Sequence, residues 1–229
     1  MTTEPAVPLD PFREYFRDVF LIGHPEATRL YFVRHGQAGN NIVGLELDPN
    51  VDPPLTELGF EQARRVSRRL EKQGVDRIYA STLLRARQTA EPLAAALGLE
   101  VAQVHDLREI ELHNVQREDT EEYRQRVRDA MAERASWDAL PGAEPSAEVR
   151  RRVTASVDAI VAANPGKRVA VFCHGGVIQI YAAIILGLRD DLFFYAFNAG
   201  IMSVRALGER RTLWRLNDIS HLEETSNIS

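Results

Sequence analysis

Two short stretches constrain this chain more than anything else in it. FVRHG at residues 32–36 and VFCHGG at residues 171–176 each run an apolar segment straight into histidine and glycine. Short apolar runs that stop at glycine have the signature of strands buried on both faces, as in a parallel sheet. In open parallel sheets ligands gather beyond the carboxyl ends of the strands. His35 and His174 therefore stand where a ligand site is expected. One histidine after a strand is an ordinary structural residue; two such units, one preceded by Arg34, point to a site. Gly36, Gly175 and Gly176 let backbone N–H groups come close to an anion, and a helix starting near Gly176 adds the positive end of its dipole.

The rest of the chain alternates to match. Leu30–Val33, Arg77–Ala80, Val101–Val104 and Val169–Cys173 read as strands. Between them lie helical patterns: one from the Thr56 cap to about Gln73 with Gly74 as its stop, and one over Leu83–Leu97, closed by Gly98 and kinked at Pro92. Thr120–Leu140 and Ser146–Asn164 are longer patterns parted by Pro141-Gly142, and an apolar helix follows His174 to near Gly187. Ile201–Arg205 and Thr212–Leu216 read as a closing pair of strands. Alternation of this kind predicts an α/β fold, a three-layer sandwich with a mainly parallel central sheet and helices on both faces. The expected division is a single domain over residues 29–229, preceded by a tail and short amphipathic helix in residues 1–28. In that helix Phe12, Tyr15, Phe16, Val19 and Phe20 form an apolar stripe. It should be covered by protein, either by docking on the same domain or in a homodimer.

Composition removes several classes. A formal charge of -5 over 229 residues gives no global pull toward nucleic acid or a membrane surface, so an anionic ligand must be held by a local cationic pocket. Arg64, Arg65, Arg68, Arg69 and Lys72 interleave with Glu57, Glu61 and Glu71 and read as a solvated helix face. Cys173 is the one cysteine, which rules out an internal disulfide. The run MTTEPAVPLD lacks the pattern of a secretory leader, and the longest apolar runs, such as Tyr181–Leu186, are too short to span a bilayer, so a cytoplasmic location is expected. A cysteine phosphatase would need an arginine six residues after its thiolate; position 179 is Gln179, and Cys173 lies inside a strand. No histidine or aspartate cluster has metal-ligand spacing, and there is no G-x-x-x-x-G-K loop.

Taken together, LYFVRHGQAGNN, PPLTELGFEQA (53–63), STLLRARQTA (81–90), LRE (107–109), VFCHGGVI and FNAG (197–200) resemble, in order, the motifs of the histidine phosphatase superfamily, the phosphoglycerate-mutase-like proteins. The resemblance spans about residues 29–218 and implies phosphomonoester chemistry with no cofactor and no metal. It aligns His35 with a nucleophile that forms a phosphohistidine, and Arg34, Arg85 and His174 with the phosphate pocket. It places Gln37 and Asn41 on the loop that contacts substrate, Gly175 beside the phosphoryl group, and Glu109 at the proton donor. The family's W-E-G-like stretch after the acid is absent, since the sequence here runs IELHNVQRE. Glu111 lies two residues on and shares a face with Glu109 if the segment is extended, and His113 is also within reach by sequence. Mutases carry arginine-tyrosine-glycine directly after the acid; Ile110-Glu111-Leu112 stands there instead, which favours a phosphatase. A mutase, and a non-catalytic module that only binds phosphoryl groups, are the alternatives. The substrate is a small phosphate ester, and residues 110–145, which match the family least, are expected to select it.

Overall fold

A computed structural model of the chain describes residues 11–41, 52–112 and 120–222. The elements in chain order are α1 (Pro11–Val19), β1 (Thr28–Arg34), α2 (Glu57–Glu71), β2 (Arg77–Ser81), α3 (Leu84–Leu97), β3 (Val101–Val104), α4 (Glu121–Glu133), α5 (Ser146–Ala163), β4 (Arg168–Cys173), α6 (Gly175–Leu186), β5 (Ile201–Leu207) and β6 (Arg210–Asp218). They build one six-stranded sheet in the order β3-β2-β4-β1-β5-β6. The first four strands of that order are parallel; β5 runs antiparallel to β1, and β6 to β5. This is the expected three-layer α/β architecture.

The pleat sorts the core. Leu30, Phe32, Val169 and Val171 face α5 and α6, meeting Val153, Val157, Val177 and Ile180. Val33, Ala170 and Phe172 face α2 and α3, meeting Val66, Leu70, Ala90 and Leu93. Each large side chain buried this way contributes roughly 1.5–3 kcal/mol. Truncating the fully buried Phe172 to alanine should cost about 3–5 kcal/mol.

The connections decide where the site lies. After β1 the chain crosses through α2 to β2, beyond β4; after β4 it crosses through α6 to β5, on the far side of β1. The two helices thus leave neighbouring strands in opposite directions and cover opposite faces. That arrangement opens a crevice at the carboxyl ends of β1 and β4. Arg34 pairs in register with Cys173, so His35 and His174 emerge side by side.

Two expectations need correction. The helical pattern over Thr120–Leu140 breaks: α4 stops at Glu133, and a short 3-10 turn occupies Trp137–Ala139. α4 buries no residue, so nothing in the core extends it. At the break the buried Ser136 hydroxyl joins Ser146 and Asp191, and Arg150 pairs with Asp191, tying this turn to α5 and to the segment after α6. The second correction concerns one of the two covers expected for the aromatic stripe of α1: it is not docked on the domain. Phe12 and Tyr15 are 67% and 65% exposed, and Phe16, Val19 and Phe20 are also exposed. The rings pack on one another instead, with centroids 4.9 Å apart for Phe12–Phe16 and 5.9 Å for Phe16–Phe20. Polar tethers and the buried Leu21 fix how the helix sits: Arg210 binds Asp18, and Arg205 binds the Leu21 carbonyl. Among the described residues no helix is long and apolar enough to cross a membrane.

Candidate active site

The site begins with His35, which is buried just past the end of β1. Its backbone is held by the neighbouring strand end, N–H to the Cys173 carbonyl at 3.0 Å. Its Nδ1 lies 2.7 Å from the Gly36 carbonyl, which fixes the proton there and leaves the Nε2 lone pair outward. Arg85 Nε donates to that Nε2 at 3.2 Å. Burial, then the charges of Arg85 and Arg34, hold the imidazole well below its ordinary value of 6.5. His35 is therefore neutral and keeps a lone pair at physiological pH.

His174 is fully buried, with its ring centroid 5.1 Å from that of His35. Burial comes first in lowering its pKa, followed by His35, Arg85 and Arg34. Its Nε2 meets Ser81 Oγ at 2.8 Å, and Ser81 Oγ also accepts from the Leu83 N–H. Among the described residues the buried Ser81 hydroxyl has no other acceptor for its proton, so it donates to Nε2 and the ring proton falls on Nδ1. Nδ1 is buried and has no protein partner. The Arg34 Nε is in the same condition, while its Nη1 donates to the Ala196 carbonyl. Buried polar atoms without partners are costly. Here they are donors beside His35, placed to bind an anion's oxygen.

Arg85 sits in the first turn of α3, 6% exposed. Burial lowers its pKa, and the carboxylates of Glu109 and Asp52 work against that. Asp52 is paired to it at 3.2 Å. Glu109 comes from the segment after β3 and reaches the start of α6: its Oε1 accepts from the Gly176 N–H at 3.1 Å and from the Ile110 N–H at 3.2 Å. Glu111 diverges. It lines a separate cavity with His105, Arg108, Glu144, Glu148 and Arg152. The segment is pinned there by Arg152, which donates to the carbonyls of Asp106 and Arg108 and forms a paired contact with Glu144. His113 lies outside the described residues.

The glycines have different tasks from those expected. The Gly36 N–H donates to Thr89 Oγ1 rather than facing an anion. A Cβ on Gly36 would stand 2.5 Å from the Gly59 carbonyl, so the glycine lets the loop pack on the start of α2. The Gly176 N–H is taken by Glu109. Gly175 lies against Arg34, whose Nε would be 3.4 Å from a Cβ there. Gln37 turns to the cap of α2, its Oε1 accepting from Thr56 Oγ1 at 2.9 Å. Asn41 is one link from His35: its Oδ1 accepts from Asn198, which also donates to the His35 carbonyl.

The structure thus gathers His35, His174, Arg34, Arg85, Glu109 and Gly175. It adds Ser81, Thr89, Asn198 and Asp52, to which sequence reasoning gave no role. The first three sit inside the STLLRARQTA and FNAG motifs; Asp52 lies outside every motif, one residue before PPLTELGFEQA. Cys173 is a core residue, and its burial pushes the thiol far above its ordinary value. Among the described residues no group of three or more His, Cys, Asp or Glu is placed to hold a metal ion.

Comparison with known proteins agrees with this geometry. The model of the histidine phosphatase superfamily (branch 1) matches residues 30–219. The phosphoglycerate mutase-like protein 4 of Arabidopsis thaliana is 32% identical, covering 86% of this chain and 88% of its own. A mycobacterial glucosyl-3-phosphoglycerate phosphatase, solved with VO3, superimposes with a TM-score of 0.71 at 30% identity, covering 82% of this chain and 98% of that one. A structure named mycobacterial hydrolase 1 gives 0.72 at 30% identity, covering 83% of this chain and 98% of its own. Ordered motifs, sheet topology and paired strand-end histidines agree: the chain belongs to the histidine phosphatase superfamily, branch 1.

Proposed function

We propose that this protein is a phosphomonoesterase that works through a phosphohistidine on His35 and needs no metal ion. His35 Nε2 attacks phosphorus in line, and the ester P–O bond breaks as the N–P bond forms. Arg34, Arg85 and the Nδ1–H of His174 bind the phosphoryl oxygens and offset the charge that gathers on them. The two guanidiniums take the part that a divalent ion plays elsewhere. Glu109, protonated, gives its proton to the departing alkoxide. As the carboxylate it then takes a proton from the water that attacks the phosphohistidine, releasing inorganic phosphate. The observation that carries this reading is the pair of buried neutral histidines, 5.1 Å apart, beside two arginines.

Hydrolysis is favoured over mutase transfer because Ile110-Glu111-Leu112 follows the acid where mutases carry arginine-tyrosine-glycine. Glu109 is favoured over Glu111 because its carboxylate lies at the start of α6, next to His174, whereas Glu111 opens onto a different cavity. Phosphate release from a panel of sugar phosphates, phosphoglycerates, phosphoserine, nucleotides and p-nitrophenyl phosphate tests the reading. Wild-type protein should release phosphate from members of the panel and His35→Ala from none. Isomerised phosphoglycerate without free phosphate would instead establish the mutase.

A further inference from the structure

Asp52 touches the machinery without a part in it. It lies just before the start of α2, about a third exposed. Its Oδ2 accepts from the Leu84 N–H at 2.6 Å, the first amide of α3. Its Oδ1 accepts from Arg85 Nη1 at 3.2 Å, and Arg85 Nε donates in turn to His35 Nε2. Carboxylate, guanidinium and imidazole form one hydrogen-bonded chain that ends on the nucleophile's lone pair.

A helix cap explains only half of this. Capping α3 satisfies the Leu84 amide and needs one oxygen. The second oxygen is spent on a guanidinium at the tip of a long stem. Such a stem has many rotamers, and ordering it costs entropy. Because the fork is planar, a partner fixed on Nη1 determines where the Nε–H points. Among the described residues the guanidinium's other hydrogen bond is the one to His35.

We propose that Asp52 is a positioning residue for phosphoryl transfer, one that holds the Arg85 guanidinium so that its Nε–H caps His35 Nε2 at rest and passes to a phosphoryl oxygen when substrate enters. The inference rests on the phosphatase reading above. It assigns Asp52 no contact with the reacting atoms.

The test is a double-mutant cycle of Asp52→Asn and Arg85→Ala. Asparagine keeps an acceptor for the Leu84 amide but loses the charge and the second oxygen. The readouts are kcat/KM on p-nitrophenyl phosphate, which needs little help from Glu109, the inhibition constant of vanadate, and the thermal midpoint. Asp52→Asn should leave the midpoint nearly unchanged. It should weaken kcat/KM and vanadate inhibition by ~10- to 100-fold, the range of one charge-assisted hydrogen bond. In the Arg85→Ala background the same change should cost almost nothing. An equal factor in both backgrounds, or a lowered midpoint with vanadate inhibition intact, would overturn the proposal and leave Asp52 a helix cap. A second readout does not depend on turnover. The Arg85 Nε–H resonance, assigned by its loss in Arg85→Ala, should exchange slowly in the wild type and broaden away in Asp52→Asn. If the wild type proves as inactive as His35→Ala, the phosphatase reading fails, and this resonance still decides whether Asp52 orders Arg85.

Discussion

Replacing Gly176 by alanine perturbs the proposed acid without touching it chemically. Gly176 lies in the first turn of α6 and its φ is one that any residue adopts, so the backbone itself bears no strain. The added Cβ would lie 2.7 Å from Glu109 Oε1 and 2.6 Å from Ile110 Cδ1, against about 3.4 Å for ordinary contact. Ile110 can yield at the far end of its side chain. The carboxylate must retreat by roughly 0.7 Å and loses its bond to the Gly176 N–H. Misplacement on the order of 1 Å costs about 10²-fold where geometry is critical. The stability change is small, since alanine gains about 1 kcal/mol of helix propensity while overpacking costs about 1–3 kcal/mol. The net is a loss of about 0–2 kcal/mol, with each kcal/mol worth about 2–4 °C in a chain of this size. The assay is rapid-mixing kinetics on an alkyl phosphate and on p-nitrophenyl phosphate, beside a melting curve. The variant should lose about 10²-fold on the alkyl ester, whose leaving oxygen needs a proton, and far less in the burst with p-nitrophenyl phosphate. Full activity on the alkyl ester, or equal losses on both, would refute the placement of the acid at this helix start.

Glu109→Gln should lose ~10²–10⁴-fold on alkyl phosphates while sparing the p-nitrophenyl burst, and Glu111→Gln should not; the reverse pattern would move the acid two residues along. Because burial and two arginines depress the pKa of His35 and His174 below 6.5, the unfolded chain takes up protons first as pH falls. Stability is then complete above about pH 6.5 and declines below it, by up to about 1.4 kcal/mol per pH unit for each histidine. Urea midpoints across that range check the sign, and a midpoint that rises on acidification would contradict it. Chelator should leave turnover intact while vanadate inhibits; activity that disappears with chelator and returns with a divalent metal would remove the arginines from the role given them.

Much of this fold is legible in the sequence because buried parallel strands are short, apolar and end abruptly. β1 and β4 stand out for that reason, as do the glycine stops after α2 and α3. Their adjacency is another matter: over a hundred residues separate Arg34 from Cys173, and no local pattern pairs them. The partners that orient the histidines escape notice for the same reason. Ser81 reaches His174 only because β2 lies beside β4, and Asn198 reaches the His35 carbonyl only because β5 lies on the other side of β1. The split between Glu109 and Glu111 follows from Arg152 and Glu144, which come from a distant part of the chain. For α1, periodicity tells which residues share a face and not which way the face turns; Arg210 and Arg205 settle that from the far end of the sequence.

The central claim is a covalent phosphohistidine on His35. Rapid acid-free quenching of a burst reaction, followed by peptide mapping under basic conditions, where N-linked phosphate survives, reads it directly. The account predicts one phosphorylated peptide containing His35, formed at the burst rate, still formed though more slowly in Glu109→Gln, and absent from His35→Ala. Phosphate release at full rate from His35→Ala, or an adduct carried by His174, would contradict it.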